Sequence, residues 1–309
     1  MLRAGAARLG SVVASLAVAA AAVGCAPAGG TSSAGTSRSA SPGSSSPLSP
    51  ASSSPLSPGS PTTAAPTRSL PPSATSPKSA PAPPSRRPPG RLPLVVLDPG
   101  HDGGNAARPD VLARQVEAGN GRTKACNTVG TSTAAGYPEH AFAWEVSVRA
   151  RALLAARGVR VVLTRRDDRG VGPCVDVRGR FGNVLRADAV VSVHADGAAP
   201  SGSGFHVIEA VGAPGGATVR AASHRLALAV HGGLRSGSGL RPASYVAGGD
   251  GFDVRGDLAG LNLSTRPSVV VEYGNMHNPR DAALQSSPAG RQRMAAALAT
   301  GVLAYLGRR

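Results

Sequence analysis

The feature that most limits what this chain can fold into is a long stretch of low complexity near its start. From Ala26 to about Leu92 the sequence is almost wholly Ser, Pro, Thr, Ala and Gly, and Ser45-Ser46-Pro47-Leu48-Ser49-Pro50 is echoed by Ser54-Pro55-Leu56-Ser57-Pro58. Proline removes backbone donors and the small side chains bury little, so nothing here offsets the entropy of ordering. Residues 25–92 therefore read as a disordered or polyproline-like spacer, which as a flexible coil would span on the order of 45 Å. A tether of useful reach and a passive stalk both fit that composition. Any packed core must come from residues 93–309, enough chain for one substantial domain.

Ahead of the spacer, Arg3 and Arg8 precede an apolar run from Leu9 to Val23. The run is short for a membrane-spanning helix and matches a signal peptide over residues 1–24. Ala22-Val23-Gly24 then lead to Cys25, which resembles the lipobox of bacterial lipoproteins, although Ala22 stands where that pattern usually has Leu. The resemblance implies lipidation of Cys25; ordinary cleavage that removes this residue is the alternative.

Charge and cysteine use agree with export. The chain has 33 Lys and Arg against 17 Asp and Glu, a formal net charge of +16. Eight of those cations and none of the acids fall in the first 92 residues, so half of the excess lies outside the folding part. Lys occurs only at Lys78 and Lys124. A basic balance attracts anionic polymers at long range. For an exported protein, a wall polymer bearing carboxylates or phosphates fits better than nucleic acid, and the alternative of a genome rich in Arg codons accounts for most of the bias. Besides Cys25 there are Cys126 and Cys174, expected to form a disulfide in an oxidising space. It would close a loop of about 49 residues, worth about 4 kcal/mol in the chain-entropy model. Zinc ligation by this pair is the competing idea, and no CxxC spacing supports it.

Within the folding part, Leu94–Leu97 is an apolar strand stopped by the turn Asp98-Pro99-Gly100. Glu139 opens a helix whose apolar residues Phe142, Val146, Ala150 and Leu153 recur every three or four positions, with Gly158 where a C-cap belongs. Val159–Leu163, Ala189–His194, Gly204–Ile208 and Ser268–Glu272 read as strands. Arg178–Arg186, Arg220–His231 and a final segment carrying Met294, Leu298, Val302 and Leu306 read as helices. Strands that alternate with helices and run as near-continuous apolar stretches predict an α/β fold, a mostly parallel twisted sheet flanked by helices in a single catalytic domain. In such sheets chemistry gathers beyond the C-terminal ends of the strands. His101, His194 and Glu272 stand at such ends, and Glu139 at a helix start.

Two imidazoles and one carboxylate from separate segments would leave a Zn²⁺ ion net positive charge and an open position for water. A second carboxylate off the metal is needed to take the proton of that water and pass it to a departing amine. Spacing alone is a weak signal among seven His. The motifs are more specific. Val95-Val96-Leu97-Asp98-Pro99-Gly100-His101 with Gly103 and Gly104, Val161-Val162-Leu163-Thr164-Arg165, Arg178 with Asn183, and Ala187-Asp188-Ala189-Val190-Val191-Ser192-Val193-His194-Ala195 follow one another. Leu261-Asn262-Leu263 and Val269-Val270-Val271-Glu272-Tyr273-Gly274-Asn275, with Asn278 and Asp281, complete the series. In this order, from Leu94 to the C-terminus, they resemble the zinc-dependent N-acetylmuramoyl-L-alanine amidases of the amidase-3 family, in particular its actinobacterial members.

That resemblance implies hydrolysis of the amide between N-acetylmuramic acid and L-alanine in peptidoglycan. It implies His101, Glu139 and His194 as zinc ligands, with Glu145 as an alternative second ligand, and Glu272 as general base and acid. Asp98 would orient the loop or a ligand His; Asp102 and Asp196 would face solvent or substrate. His140, His206, His224, His231 and His277 read as surface or strand residues. The segment from Asn105 to Pro138 resembles a hairpin insert that a disulfide would pin beside the active site. Asp102 departs from the family pattern, which usually has a second Gly directly after the first His. The expected partner is peptidoglycan or a muropeptide, with no nucleic acid, membrane contact only through the lipid anchor, and a monomer in the cell envelope. A non-catalytic wall-binding lipoprotein and a zinc peptidase acting within the stem peptide are the competing readings.

Overall fold

The computed structural model describes residues 90–308 apart from 213 and 247. The signal peptide, Cys25 and most of the spacer lie outside the described residues. In chain order the elements are β1 (Leu94–Pro99), α1 (Pro109–Leu112), β2 (Gln115–Gly119), β3 (Arg122–Ala125), α2 (Glu139–Ala155), β4 (Arg160–Leu163), α3 (Val175–Leu185) and β5 (Ala189–Asp196). They continue with β6 (His206–Ala210), α4 (Gly216–Gly237), β7 (Phe252–Arg255), α5 (Ala259–Asn262), β8 (Ser268–Asn275), α6 (Pro279–Ser286) and α7 (Pro288–Tyr305). Six strands form one sheet in the order β4-β1-β5-β8-β6-β7, and β2 with β3 makes a separate antiparallel hairpin. β4, β1, β5 and β8 pair in parallel; β6 runs antiparallel to β8, with β7 parallel to β6. No helix among the described residues is long and apolar enough to cross a membrane.

The two faces of the sheet are covered unequally. Because side chains alternate along a strand, Val95, Leu97, Val191, Val193, Val269 and Val271 point one way, against the three long helices α2, α4 and α7. Phe142, Val146, Ala150 and Leu154 of α2, Leu226 and Val230 of α4, and Met294, Leu298 and Val302 of α7 are fully buried there. Each of these side chains other than Ala150 contributes about 1.5–3 kcal/mol on leaving water. The helical period of α2 selects Leu154 for the core, while the neighbouring Leu153 is only partly buried. Val96 and Val190 face the other way onto α3, and Ile208 and Val270 onto α5. These helices are short, and the hairpin packs beside both of them. The thinner layer leaves room at the C-terminal ends of β1, β5 and β8.

The hairpin is tied down rather than loose. Cys126, directly after β3, is bonded to Cys174 at the start of α3. Asn262 donates from Nδ2 to the carbonyls of Ala118 and Gly256 at 2.9 and 3.0 Å, and Asn120 reaches Gly256 as well. Glu117 pairs with Arg180 of α3.

Candidate metal centre and catalytic cleft

Strand parity assembles the site on the thinly covered face. Asp98 follows Val96 by two on β1, His194 follows Ser192 on β5, and Glu272 follows Val270 on β8. His194 stands opposite Glu272 in the β5–β8 ladder, and Glu272 opposite His206 in the β8–β6 ladder. Glu139 arrives from the other layer at the first turn of α2, buried at 4% exposure, with its carboxylate accepting from the backbone N–H of Thr131 and Ala195. Its Oε2 lies 3.1 Å from His101 Nε2 and its Oε1 2.8 Å from His194 Nδ1.

One ligand atom from each of His101, Glu139 and His194 lies within 4.8 Å of the others. Two donors bound to a common transition ion sit roughly 3.3 Å apart, given bonds of about 2.0–2.2 Å. Two imidazoles and a carboxylate on one wall of an open cleft therefore fit a divalent ion with a position left for another ligand. The Nδ1–H of His101 donates to the carbonyl of Thr128 at 3.0 Å, which leaves Nε2 as the free lone pair facing Glu139. Burial opposes protonation of His101, but the adjacent Glu139 carboxylate raises its pKa. Burial likewise works against ionised Glu139, and the two imidazoles outweigh it, holding this carboxyl far below its ordinary range. Room for the rings is made by glycine: a Cβ at Gly100 would come within 2.3 Å of the His194 ring, and one at Gly130 within 2.7 Å of Glu139 Oε2.

His101 itself adopts left-handed backbone, φ 58°, which costs a β-carbon-bearing residue on the order of 1–2 kcal/mol. Two buried arginines hold it there. Arg178 donates to the carbonyls of Pro99 at 2.7 Å, His101 at 2.6 Å, Gly172 at 2.8 Å and Pro173 at 2.9 Å, and to Asp98 Oδ1 at 2.8 Å. All five guanidinium donors are thus engaged. Arg165 adds bonds to the carbonyls of Pro99 and Gly100, and to that of His140 one residue after Glu139. Asp98 also accepts from Thr164 and Ser192. Burial raises its pKa, yet Arg178 and these hydrogen bonds bring it below the usual carboxylate value. Asp98 therefore orients the loop that carries His101 through Arg178, and makes no bond to a ligand His itself.

Glu272 is in a different situation. It lines the same cleft of about 430 Å³ as the three ligand candidates, but is not among the atoms that cluster around one point. Its Oε2 is buried without a hydrogen-bond partner. Burial, followed by the negative charges of Glu139 and Asp196, pushes its pKa well above the ordinary value. A carboxyl whose proton is held more tightly than usual can act as a proton carrier in such a cleft.

Other expected residues fall elsewhere. Glu145 lies two turns along α2, where it pairs with Arg149 and with Arg291 of α7, away from the His pair. Asp102 does not face solvent: it is 4% exposed, accepts from the N–H of Gly103 and lies 3.7 Å from Arg165. Asp196 does line the cleft, with Tyr245 donating to it at 3.0 Å. His206 is a strand residue, buried in β6 at 3.9 Å from Asp196. His140 pairs with Asp168, His224 with Glu209, and His277 bonds Thr131 and the Ala198 carbonyl. Asn275, Asn278 and Asp281 knit the loop after β5 to the end of β8. Thr128 and Tyr245 gave no sign in the sequence. Both sit in irregular segments, and their roles exist only through partners 27 and 49 residues away.

The comparisons with known proteins agree with this geometry. A family model described as N-acetylmuramoyl-L-alanine amidase matches residues 95–304. An N-acetylmuramoyl-L-alanine amidase of Mycobacterium tuberculosis is 48% identical over 213 residues, 69% of this chain and 86% of that protein. The crystal structure of an N-acetylmuramyl-L-alanine amidase from Mycobacterium smegmatis superposes with a TM-score of 0.66 at 45% identity, covering 70% of this chain and 97% of the other. That of the apo enzyme from Mycobacterium abscessus gives 0.65 at 45% identity, with 69% and 98% covered. The chain belongs to the amidase-3 family of N-acetylmuramoyl-L-alanine amidases.

Proposed function

We propose that the chain hydrolyses the amide bond between N-acetylmuramic acid and the L-alanine of the peptidoglycan stem, with zinc held by His101, Glu139 and His194 and with Glu272 carrying the proton. Family membership supports the amidase activity. The observation that carries the division of roles is the contrast within one cleft: three donor groups gathered around a point, and beside them a half-buried carboxylate with one buried oxygen that has no partner. When bound, zinc supplies Lewis-acid polarisation of a water molecule and of the amide carbonyl. The Glu272 carboxylate accepts a proton from the attacking water and returns it to the departing alanine nitrogen. Thr128 keeps His101 in the tautomer that presents Nε2, and the Asp98–Arg178–Arg165 network holds the loop of His101 in place. The same reading takes residues 1–24 as an export signal, Cys25 as a lipid attachment point, and the spacer as a tether that lets residues 93–309 reach the wall from the membrane surface.

The test is mass spectrometry of a purified muropeptide after incubation with the protein, with and without a chelator. Release of a stem peptide with a free L-alanine amine, abolished by chelation and restored by zinc, is the expected result. A cut inside the stem would instead make the protein a peptidase. No product at all from zinc-loaded protein would favour a non-catalytic wall-binding role.

A further inference from the structure

The cleft carries two cations, Arg178 and Lys124. Arg178 has no donor to spare, since its five N–H groups already serve Asp98 and four carbonyls. Lys124 is the opposite case. It sits on β3 of the disulfide-pinned hairpin, half-buried, and its Nζ donates to the backbone carbonyl of Asp257 at 3.2 Å. The carboxylate of Asp257 is itself taken by Arg255 in a two-pronged pair. An ammonium has three donors, so two remain on a partly desolvated side chain that faces the cleft. Among the described residues no carboxylate forms an ion pair with Lys124, whereas the other cation of the cleft, Arg178, is paired with Asp98.

The cleft is also electrically polar. Glu272 and Asp196 lie along β5 and β8, whereas Lys124 lies on the hairpin that faces the short helix α5. An anionic group of the substrate is repelled from the first end and drawn to the second. The distances allow it. From Lys124 to Thr128, which touches His101, is four residues, at most about 14 Å of chain. The scissile amide and the α-carboxyl of the second stem residue are separated by one alanine, and a Lys side chain spans much of what remains.

We propose that Lys124 is a specificity-determining residue that binds a carboxylate of the stem peptide, the α-carboxyl of the residue following L-alanine, and so orients the stem toward the hairpin and the glycan away from it. This rests on the amidase reading above. The probe is a pair of muramyl dipeptides that differ only in whether that α-carboxyl is free or amidated. The wild-type protein should prefer the free acid by about 5- to 20-fold in kcat/KM, mainly through KM, as expected for one charge-assisted hydrogen bond in a half-buried setting. The preference should shrink with added salt. Lys124→Gln should bring the two substrates to the same kcat/KM, and Lys124→Arg should restore the preference. Cleavage of both by the wild type with no discrimination, or discrimination that survives in Lys124→Gln, overturns the proposal and leaves the amidase reading standing. Cleavage of neither overturns both.

Discussion

Two walls of one cleft each hold a carboxylate, and they treat it in opposite ways. On the β1–α3 wall, Asp98 is surrounded by Arg178, Thr164 and Ser192, and its pKa is drawn down. On the β8 wall, Glu272 has an oxygen with no partner, and its pKa is pushed up. Both carboxylates come from strand ends, both share the same face of the sheet, and both lie within the same cleft. The difference is what surrounds them. A satisfied buried charge fixes geometry, because moving it breaks several strong bonds at once. An unsatisfied one is held at a cost and is available for proton transfer. Glu139 stands between the two cases: two backbone N–H groups hold its carboxylate, and its other partners are the imidazoles that a metal ion would share.

The comparison can be broken most severely at the metal site. Glu139→Ala removes the carboxylate between the two imidazoles, and the variant should lose both bound zinc and all measurable turnover, read by elemental analysis and muropeptide assay on one preparation. Next in size is Glu272→Gln, which keeps shape and hydrogen bonding but cannot accept a proton. Zinc content should stay near the wild-type level while turnover falls about 10²–10⁴-fold. Loss of zinc, or turnover close to wild type, would show that the unpartnered carboxylate is not the proton carrier.

On the opposite wall the expected loss is of stability rather than chemistry alone. Asp98→Asn leaves the Arg178 guanidinium buried without its counter-charge, and denaturant unfolding near neutral pH should report a loss of about 3–5 kcal/mol. The folded pKa of Asp98 lies below its unfolded value of about 3.9, so its contribution is complete above that pH and fades as pH falls through the folded value. The deficit of the variant should therefore narrow only in acid, below about pH 4. An unchanged unfolding midpoint for Asp98→Asn would mean that the two walls do not differ as described. The smallest effect is expected for Glu145→Ala, whose carboxylate is partly exposed and paired with Arg149 and Arg291. It should cost no more than about 1 kcal/mol and leave zinc in place. Zinc loss there, but not in Glu139→Ala, would move the ligand two turns along α2.

Much of the architecture is legible in the sequence because it depends on short-range pattern. The apolar runs at Leu94–Leu97, Ala189–His194 and Ser268–Glu272 became β1, β5 and β8, each extended by a few residues. The helical period from Phe142 and that from Met294 became the buried faces of α2 and α7. β7 gave no comparable signal: Phe252-Asp253-Val254-Arg255 is four residues, half of them charged, between glycines, and only pairing with β6 makes it a strand. The hairpin was suggested only by resemblance, since Gln115–Gly119 and Arg122–Ala125 have too few apolar residues to announce themselves. Asp102 departs from the expectation of a solvent- or substrate-facing residue. A polar residue is normally solvated unless a distant partner covers it, and here Arg165 lies beside it.

By itself, the sequence determined which stretches of residues 93–309 run as strands or helices, and which side chains have the chemistry to bind a metal ion. Each of these follows from a residue and its near neighbours along the chain, through period, turn residues and side-chain type. The tertiary structure alone decided which of those side chains meet, and what state each is held in. Asp98 meets Ser192 across 94 positions, and Glu139 meets His194 across 55. Whether a buried carboxylate is satisfied or left without a partner depends on contacts at that range. No local pattern encodes them, because burial and hydrogen bonding are properties of the packed assembly rather than of any one segment.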